Sequence, residues 1–351
     1  MKKRISIVWL IIGAIFFWTA TAPAKPITLR FADQNPEQGW GVTAATGPLL
    51  QKIEAATKGQ VKIQPYYSQT LCKGKDAWNA AQVGITDMAW CFHGYWADMT
   101  PLTDVISLPG LPFNTAQEGS AVLWRIYEKF PEIQKEFDKV KVLLFYTSEP
   151  YSLNTRKKQV KSLEDLKGMK IRMTGGPPTE MMKALGGVPL LIPMPDNYIS
   201  LQKGVMDGCS LPWEGLLSWR LYEVVDYTTV VPFPAVYFSV VMNLNKWNSL
   251  TEEVQNNIMS VCGLEGSKFC GHNYFDRAKE KSIEKAKAEG FDLNIYELSK
   301  EERDRWMDVG VKPIWEAWIT KMEQKGHSKA REILESVLAM GEEVKLELSK
   351  K

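Results

Sequence analysis

The chain has 351 residues, of which 24% are charged, and a formal net charge of +2 at pH 7. Nucleic-acid-binding proteins normally show a strong basic bias, so this near-neutral composition argues against nucleic acid as a partner. Beyond the N-terminal segment, no uncharged apolar stretch approaches the ~18 residues that a spanning helix needs, and the length suggests about two domains.

Residues 1–24 predict an export signal. They begin with a basic Lys-Lys-Arg segment, continue with a mostly apolar stretch at 5–18, and end in the small-x-small sequence Ala22-Pro23-Ala24. This order of regions is typical of a cleaved secretory signal. We therefore expect cleavage near Ala24 and a periplasmic location, with loss of three basic residues lowering the net charge to −1. An uncleaved membrane anchor is the alternative, because the uncharged run is about as long as a spanning helix.

The chain after this signal alternates predicted strands and helices. Residues 27–32 (ITLRFA) alternate apolar and polar side chains as a half-buried strand does, residues 48–57 favour a helix that Lys58-Gly59 ends, and residues 61–66 favour a second strand. This β-α-β order predicts a mainly parallel sheet. The pattern continues with a helix at 77–83, a strand at 86–91, a helix at 116–139 and a strand at 140–146.

A second α/β unit is predicted from about residue 150. Ser162 and Asp165 fit a capping box at the start of a helix. The elements that follow are a strand at 170–173, a helix at 179–185, a strand at 187–192, a helix at 196–203 and a strand at 207–211.

The remaining chain is predicted to return between the two units. Residues 230–243 are apolar and rich in β-formers, and residues 251–290 are helical with interruptions only at glycines. A continuous helix of that length would measure about 60 Å, so it must contact both units. Further helices are expected at 299–325 and 328–349, where we interpret Trp306, Trp315 and Trp318 as core residues.

The cysteines Cys72, Cys91, Cys209, Cys262 and Cys270 are too few to make a disulfide framework. Cys262 and Cys270 lie eight residues apart on one predicted helix. The resulting rise of about 12 Å is too long for a bridge. A pairing of Cys72 with Cys91 stays open, and we expect most of the five to be buried thiols.

Motifs for enzymatic chemistry are mostly missing. The histidines His93, His272 and His327 do not have zinc-site spacing, and the sequence contains no CxxC pair, GxSxG elbow, P-loop or GxGxxG. We therefore expect no enzyme activity, cofactor or metal. A hydrolase with paired carboxylates stays open as an alternative, because acidic residues are plentiful.

Residues 161–208 carry a specific resemblance. The segment KSLEDLKGMKIR at 161–172 is followed by MKALGGVP at 182–189, Met194-Pro195, and YISLQKGVMDG at 198–208. Together these segments resemble the DctP-like family, the solute-binding proteins of TRAP-type (tripartite ATP-independent) transporters. Weaker matches extend the resemblance over nearly all of the mature chain.

The resemblance implies an α/β fold of the periplasmic-binding-protein type, with two lobes of mixed sheets and flanking helices, hinge strands, and a long helix at about 251–290 that bridges both lobes. We expect the first lobe to comprise 25–149 plus 238–277, and the second lobe 150–237 plus 278–351. The resemblance also implies a small-molecule carboxylate ligand trapped between the lobes, and small and large integral membrane subunits as partners.

Arg172 ends the Gly-x-Lys-x-Arg segment, the position that the resemblance assigns to the ligand carboxylate. A guanidinium is always charged and presents a planar fork that can hold a carboxylate through two parallel hydrogen bonds. Other positions depart from the family pattern. Ser152 replaces a second Arg of the sugar-acid-binding relatives, Phe92 and Tyr95 replace a carboxylate and an Arg, and residues 207–213 read DGCSLPW instead of Asp-Gly-x-Glu-Asn-Pro.

These departures predict a ligand site with one cation and apolar or aromatic walls. The candidate ligand contacts are Arg172, Trp213, Phe92, Tyr95, Trp90, Met194, Leu211, Tyr237, Trp40 and Gln34, together with Trp96. Core packing is an equal alternative for Trp90, whereas Trp219 and Tyr222 are expected to pack along a helix.

We expect the ligand to be a monocarboxylate with an aromatic or apolar body, such as an aryl or indolyl acid, an aromatic 2-oxo acid or an amino acid. A C4-dicarboxylate or a short 2-oxo acid is the alternative within the family, and a second buried cation facing Arg172 would favour it. Two convergent carboxylates in the cleft would favour a periplasmic enzyme instead.

Overall fold

The computed structural model describes residues 25–96 and 98–350, so the predicted export signal at 1–24 lies outside the described residues. Two mixed sheets with flanking helices form two α/β lobes, which confirms the predicted fold. The first sheet has the order β2-β1-β3-β10-β4 and the second the order β11-β9-β5-β8-β6-β7.

The strands are β1 (Ile27–Ala32), β2 (Val61–Tyr66), β3 (Met88–Phe92), β4 (Val140–Thr147), β5 (Ser152–Thr155), β6 (Lys170–Arg172), β7 (Val188–Leu190), β8 (Gly208–Leu211), β9 (Tyr227–Val230), β10 (Tyr237–Asn243) and β11 (Ile295–Glu297). The α-helices are α1 (Gly47–Ala56), α2 (Ala77–Gln82), α3 (Ala116–Lys129), α4 (Pro131–Lys135), α5 (Leu163–Leu166), α6 (Pro177–Ala184), α7 (Asn197–Gln202), α8 (Trp213–Ser218), α9 (Leu244–Asn248), α10 (Glu252–Met259), α11 (Gly263–Cys270), α12 (Ala278–Ala288), α13 (Lys300–Gly310), α14 (Lys312–Gln324) and α15 (Ala330–Ser349).

The first sheet begins as the sequence predicts, with β1 parallel to both β2 and β3. Leu29 and Phe31 lie on the same face of β1, because side chains alternate along a strand, and they join Leu49 and Ile53 of α1 in one buried cluster. In the second lobe, Asp165 Oδ2 accepts a hydrogen bond from the Ser162 N–H at 3.2 Å, so the predicted capping box is present.

One antiparallel strand lies inside each sheet. β10 pairs with β3 and β4 in the first sheet, and β5 pairs with β8 and β9 in the second. Two segments, 148–151 and 231–236, cross between the sheets and bond to each other. The Ser148 N–H donates to Val236 O at 2.9 Å, and the Val236 N–H donates to Ser148 Oγ at 3.1 Å. This pair of crossing segments forms the hinge of the fold.

The expected continuous helix at 251–290 is wrong in one respect, because it is interrupted at 260–262. Gly263 has φ +58°, in the left-handed region that favours glycine, and a new helix begins there. From that point α11, a π-helical turn (Gly271–Asp276) and α12 follow one another closely. α11 contacts α3 and β4 of the first lobe and α12 contacts α8 of the second, so the shorter segment still bridges both lobes.

The C-terminal helix also departs from the expected division, which placed all of 278–351 in the second lobe. α15 packs against α3, where Ile333 and Val337 share a buried cluster with Leu123 and Ile126 of the first lobe. The apolar face of α3 is thereby covered by the end of the chain.

All five cysteines are free thiols, so the open pairing of Cys72 with Cys91 is not present. Four of them are buried, as expected, and Cys72 is half-buried. Within 25–96 and 98–350, no helix is both long and apolar enough to cross a membrane.

Candidate functional site

A cavity lies between the lobes, where several strands end. Gln34 and Asn35 follow β1, Phe92 ends β3, Arg172 ends β6 and Leu211 ends β8. Ligands of open α/β sheets commonly bind outside the carboxyl ends of the strands. The position of this cavity therefore follows from the way the two sheets face each other.

Both lobes contribute to the wall of the cavity. Its lining consists of Gln34, Asn35, Trp90, Phe92, Tyr151, Arg172, Met194, Leu211, Pro212, Glu214, Gly215, Trp219, Phe238, Tyr274 and Phe275. The space between these walls measures about 30 Å³, roughly enough for one or two water molecules. In this form of the protein the space is too small for a ring-bearing ligand.

Arg172 is the electrostatic centre of the cavity. Its side chain is only 2% exposed, and its Nε donates to the carbonyl oxygen of Ile192 at 3.1 Å. Across 25–96 and 98–350, no carboxylate forms an ion pair with Arg172, and its two terminal nitrogens have no hydrogen-bond partner. A buried charge without a partner is costly, so the site is arranged to accept an anion.

Aromatic rings form the first-lobe wall. The ring of Phe238 lies 5.2 Å from that of Trp90, 5.1 Å from that of Phe92 and 5.1 Å from that of Phe275, measured between centroids. Trp90 is also fixed by a hydrogen bond from its indole nitrogen to the Tyr146 hydroxyl. These distances are typical of favourable aromatic pairs, so the wall is packed before any ligand arrives.

Tyr95 connects the two lobes at the edge of the cavity. Its hydroxyl accepts from the Met194 N–H at 3.0 Å and donates to Gln34 Oε1 at 2.9 Å. Its ring meets Phe92 edge-on at 4.7 Å. Burial raises the pKa of Tyr95, and the positive charge of Arg172 opposes that rise. Tyr95 therefore holds two lining residues in place and stays a neutral hydroxyl.

Glu214 is a buried carboxyl group on the second-lobe side. Its Oε1 accepts from the Gly41 N–H at 3.3 Å and from the Ser218 hydroxyl. Burial raises the pKa of Glu214 to about 7, and the nearby charge of Asp33 adds to that rise. Because Gly41 belongs to the first lobe, this carboxyl group also contacts both sides of the cleft.

Six of the residues predicted from sequence line the cavity: Arg172, Trp90, Phe92, Met194, Leu211 and Gln34. Tyr95 lies behind them and contacts Phe92, Met194 and Gln34. Trp90 is at once a core residue and a wall residue, since it is 3% exposed and belongs to the main apolar cluster.

Tyr237 was predicted to contact the ligand, and the structure places it elsewhere. Its hydroxyl bonds to Thr100 and Asp104, and its ring stacks on His93 with centroids 4.5 Å apart. Its neighbour Phe238 lines the cavity instead, because adjacent side chains of a strand point to opposite faces. The residue of β10 that lines the cavity is therefore one position away from the predicted one.

Trp213, also predicted to contact the ligand, lines a neighbouring groove at the hinge and not this cavity. Its N–H donates to Glu149 Oε1 at 2.9 Å, and Lys279 Nζ lies 5.6 Å from its ring centroid. Successive residues of a helix point about 100° apart, so Trp213 and Glu214 at the start of α8 face different spaces.

Trp40 and Trp96 likewise do not line the cavity. The Trp40 indole nitrogen donates to Asn273 O at 3.1 Å, and that of Trp96 donates to Lys75 O at 2.8 Å. Both rings are half-buried and serve contacts within the surrounding structure.

Several lining residues were not predicted from the sequence. Tyr274 and Phe275 lie in the π-helical turn of the bridging helix, a local geometry that no residue pattern indicated. Trp219 ends α8 and lines the cavity, although it was expected to pack along a helix. Glu214 could have been found from Pro212, because a carboxyl group in the first turn after a strand end lies near the sheet edge.

Two α/β lobes that meet over one buried, unpaired cation define the class of small-molecule solute-binding proteins. The family model for DctP, described as bacterial extracellular solute-binding protein, family 7, matches residues 31–321, and the chain belongs to this family. The resemblance predicted from residues 161–208 is thereby confirmed.

Solved structures of TRAP solute-binding proteins share the fold. One from Rhodoferax ferrireducens T118, with copurified benzoate, is 24% identical, has a TM-score of 0.85, and covers 91% of this chain and 98% of its own. A marine metagenome protein described as specific for aromatic acid ligands, with 3-hydroxybenzoate, is 24% identical, has a TM-score of 0.85, and covers 91% and 99%. A Roseobacter denitrificans protein with bound β-D-glucuronate is 20% identical, has a TM-score of 0.73, and covers 89% and 99%.

Proposed function

We propose that this protein is the periplasmic, non-enzymatic binding subunit of a TRAP-type transporter and that its ligand is a monocarboxylate with an aromatic or apolar body. The observation that carries the proposal is Arg172, a cation that is 2% exposed, lines the inter-lobe cavity and lacks a counter-ion among the described residues. A ligand carboxylate would supply the missing charge and bond to both terminal nitrogens of the guanidinium.

The rest of the lining favours an apolar ligand body. Trp90, Phe92, Phe238, Tyr274 and Phe275 present rings to the same space as Arg172. A planar ligand ring would gain dispersion contacts and lose water-exposed apolar surface on this wall. The benzoate and 3-hydroxybenzoate held by two structures of the same fold are compounds of this kind.

The lining argues against a dicarboxylate. Among the lining residues that the structure describes, Arg172 is the only cation, whereas a C4-dicarboxylate brings a second negative charge that requires its own partner. The same residues include one carboxyl group, Glu214, and a paired-carboxylate enzyme would need two.

Capture would follow from closure of the lobes. The Gly175 N–H donates to Gly94 O at 2.9 Å, and Met194 bonds to Tyr95 across the cleft, so this structure is a closed form. The crossing segments 148–151 and 231–236 form the hinge about which the lobes would open. A bound anion would shift the open–closed equilibrium toward the closed form, which the membrane subunits of the transporter would then recognise.

A ligand panel tests the proposal. Thermal unfolding of the purified protein is measured with benzoate, phenylacetate, indole-3-acetate and phenylpyruvate, and with succinate, pyruvate and glucuronate at equal concentrations. A ligand present at 100 times its Kd raises the free energy of unfolding by about 2.7 kcal/mol. We expect at least one aryl or indolyl acid to give the largest rise in Tm, and calorimetry then gives its Kd.

Two results would contradict the proposal. Stronger stabilisation by succinate than by every aryl acid would favour the dicarboxylate alternative. Conversion of a bound acid to a product, followed by mass spectrometry, would show an enzyme.

A further inference from the structure

Resting on the proposed function, we infer that Glu214 is a second polar contact of the ligand and selects aromatic acids that carry a hydroxyl group on the ring. The family pattern quoted for this region ends at Pro212, so Glu214 lies beyond it. The inference concerns which member of the aromatic acid class this chain prefers.

The first observation is the unused oxygen of the carboxyl group. Glu214 is 5% exposed and lines the same cavity as Arg172. Both of its hydrogen bonds to described residues, from Gly41 and Ser218, go to Oε1. Oε2 accepts no hydrogen bond from a residue in 25–96 or 98–350, so this oxygen is free to accept one from a ligand in the cavity.

The second observation concerns charge. No lysine or arginine of the described residues forms an ion pair with Glu214. Burial is the main reason that its pKa rises to about 7. A ligand carboxylate is repelled by an ionised Glu214 and attracted by Arg172, so the carboxylate end of the ligand faces Arg172. The group that meets Glu214 must then be one that offers a hydrogen, as a hydroxyl does.

The third observation is the separation of the two polar groups. Arg172 and Glu214 form no ion pair, although both line the cavity. Tyr151 lies near both: burial raises its pKa, the charge of Arg172 opposes the rise and that of Glu214 adds to it. A hydroxyl adjacent to the carboxylate carbon would stay beside Arg172. Because Arg172 and Glu214 are too far apart for an ion pair, we assign to Glu214 a hydroxyl that the ring holds away from the carboxylate.

Matched pairs of ligands test this inference. Calorimetry gives the Kd of benzoate, 3-hydroxybenzoate and 4-hydroxybenzoate for the wild type, and that of phenylacetate and mandelate as a pair that differs only in a hydroxyl beside the carboxylate. We expect one of the hydroxybenzoates to bind at least tenfold more tightly than benzoate, as a hydrogen bond to a buried carboxyl group supplies roughly that factor.

The variant Glu214→Gln should remove most of this preference. The amide oxygen can still accept from Gly41 and Ser218, whereas the Nε2 that replaces Oε2 can only donate to the hydroxyl oxygen, in a neutral hydrogen bond that is weaker than one to a carboxylate. We expect the hydroxybenzoate preference to fall by about tenfold and the mandelate-to-phenylacetate ratio to stay within twofold. Glu214→Leu is the second variant, and Glu180→Gln, at an exposed side chain that does not line the cavity, is the control that should keep the preference.

Three results would overturn the inference. The wild type could bind benzoate and both hydroxybenzoates equally. Glu214→Gln and Glu214→Leu could weaken benzoate and hydroxybenzoate by the same factor, which would make Glu214 a lobe-to-lobe contact only. Failure of every aromatic acid to bind the wild type would reject the proposed function itself and is recognised before any variant is made.

Discussion

The two lobes contribute different kinds of side chain to the cavity. The first lobe and the π-helical turn of the bridging segment supply Trp90, Phe92, Phe238, Tyr274 and Phe275, whereas the second lobe supplies Arg172 and Glu214. The aromatic side is packed ring against ring with centroids about 5 Å apart. The charged side has terminal nitrogens and an oxygen without partners among the described residues.

We therefore expect the two lobes to have different roles in ligand binding. A packed aromatic wall does not need to rearrange when a ligand ring binds. It contributes to affinity but does not fix the orientation of the ligand. A buried cation with unused donors fixes the orientation of the ligand carboxylate. It also discriminates strongly against ligands without a carboxylate, because such a ligand leaves the buried charge uncompensated. Changes at Arg172 should therefore affect all carboxylates, and changes in the aromatic wall of the first lobe should affect only those with a ring.

The largest effect is expected for Arg172→Ala. It should weaken binding of every carboxylate by about 100-fold or more, roughly 3 kcal/mol, because the ligand charge would be buried without a partner. The affinity of Arg172→Lys for carboxylates should lie between those of the wild type and Arg172→Ala, since an ammonium keeps the charge but lacks the planar fork.

The matched control for Arg172 is Arg156→Ala. Arg156 directly follows β5, at the end of this strand that pairs with the start of β8 and lies away from the cavity. Calorimetry should give this variant the wild-type Kd. Wild-type affinity in Arg172→Ala would place the carboxylate elsewhere and remove the distinction between the lobes.

The next effect is expected for Phe238→Leu on the aromatic side. Loss of the central ring should weaken aryl acids by about tenfold, as an aromatic pair and its buried area contribute roughly 1 to 2 kcal/mol, and should leave pyruvate within about threefold. Tyr237→Phe is the matched control, because it changes the adjacent residue on the opposite face of β10. Equal losses in both variants would mean that Phe238 acts through strand stability and not through ligand contact.

The neighbours Tyr237 and Phe238 also show which features of the site could be predicted from the sequence and which could not. Sequence alone located the strands that end at the cavity, because alternation and glycine stops indicate them, and the motif around Arg172 identified its side chain. The sequence did not show which side chains of β10 face the cavity. Both faces of this buried strand are apolar, and a shift of one residue exchanges the two faces. Tyr274 and Phe275 depend on a π-helical turn that only tertiary packing sets. Pro212 indicates that Glu214 lies near the sheet edge, but not which space its carboxyl group enters.

A smaller effect is expected for Tyr95→Phe, which tests how the two sides are joined. The variant loses the hydrogen bonds to Met194 N and Gln34 Oε1 but keeps the ring against Phe92. The closed form should become less favourable by about 1 kcal/mol, so all ligands should bind roughly three- to tenfold more weakly. A loss confined to one ligand would instead mean that the Tyr95 hydroxyl contacts that ligand directly.

The last expected effect is on the stability of the fold and not on ligand binding, and it follows from buried carboxyl groups. Burial raises the pKa of Asp33 and Glu214 from the ordinary 3.8 and 4.5 to about 7, and that of Glu149 to about 8. At pH values between the ordinary and the raised pKa values, the folded protein binds more protons than the unfolded chain. The free energy of unfolding therefore falls as pH rises through the folded pKa values. Burial lowers the pKa of His93 to about 3, so this residue is mostly neutral in both states above pH 6.5.

Denaturant unfolding at pH 6.5 and pH 8.5 measures this change. We expect lower stability at pH 8.5, by roughly 1 to 3 kcal/mol, and a smaller difference in Glu149→Gln, which cannot ionise at the hinge. Glu180→Gln, at a side chain 58% exposed, is the control and should keep the wild-type difference. An unchanged difference in Glu149→Gln would mean that the Glu149 carboxyl group, which accepts from Trp213 N–H, is already ionised at pH 6.5.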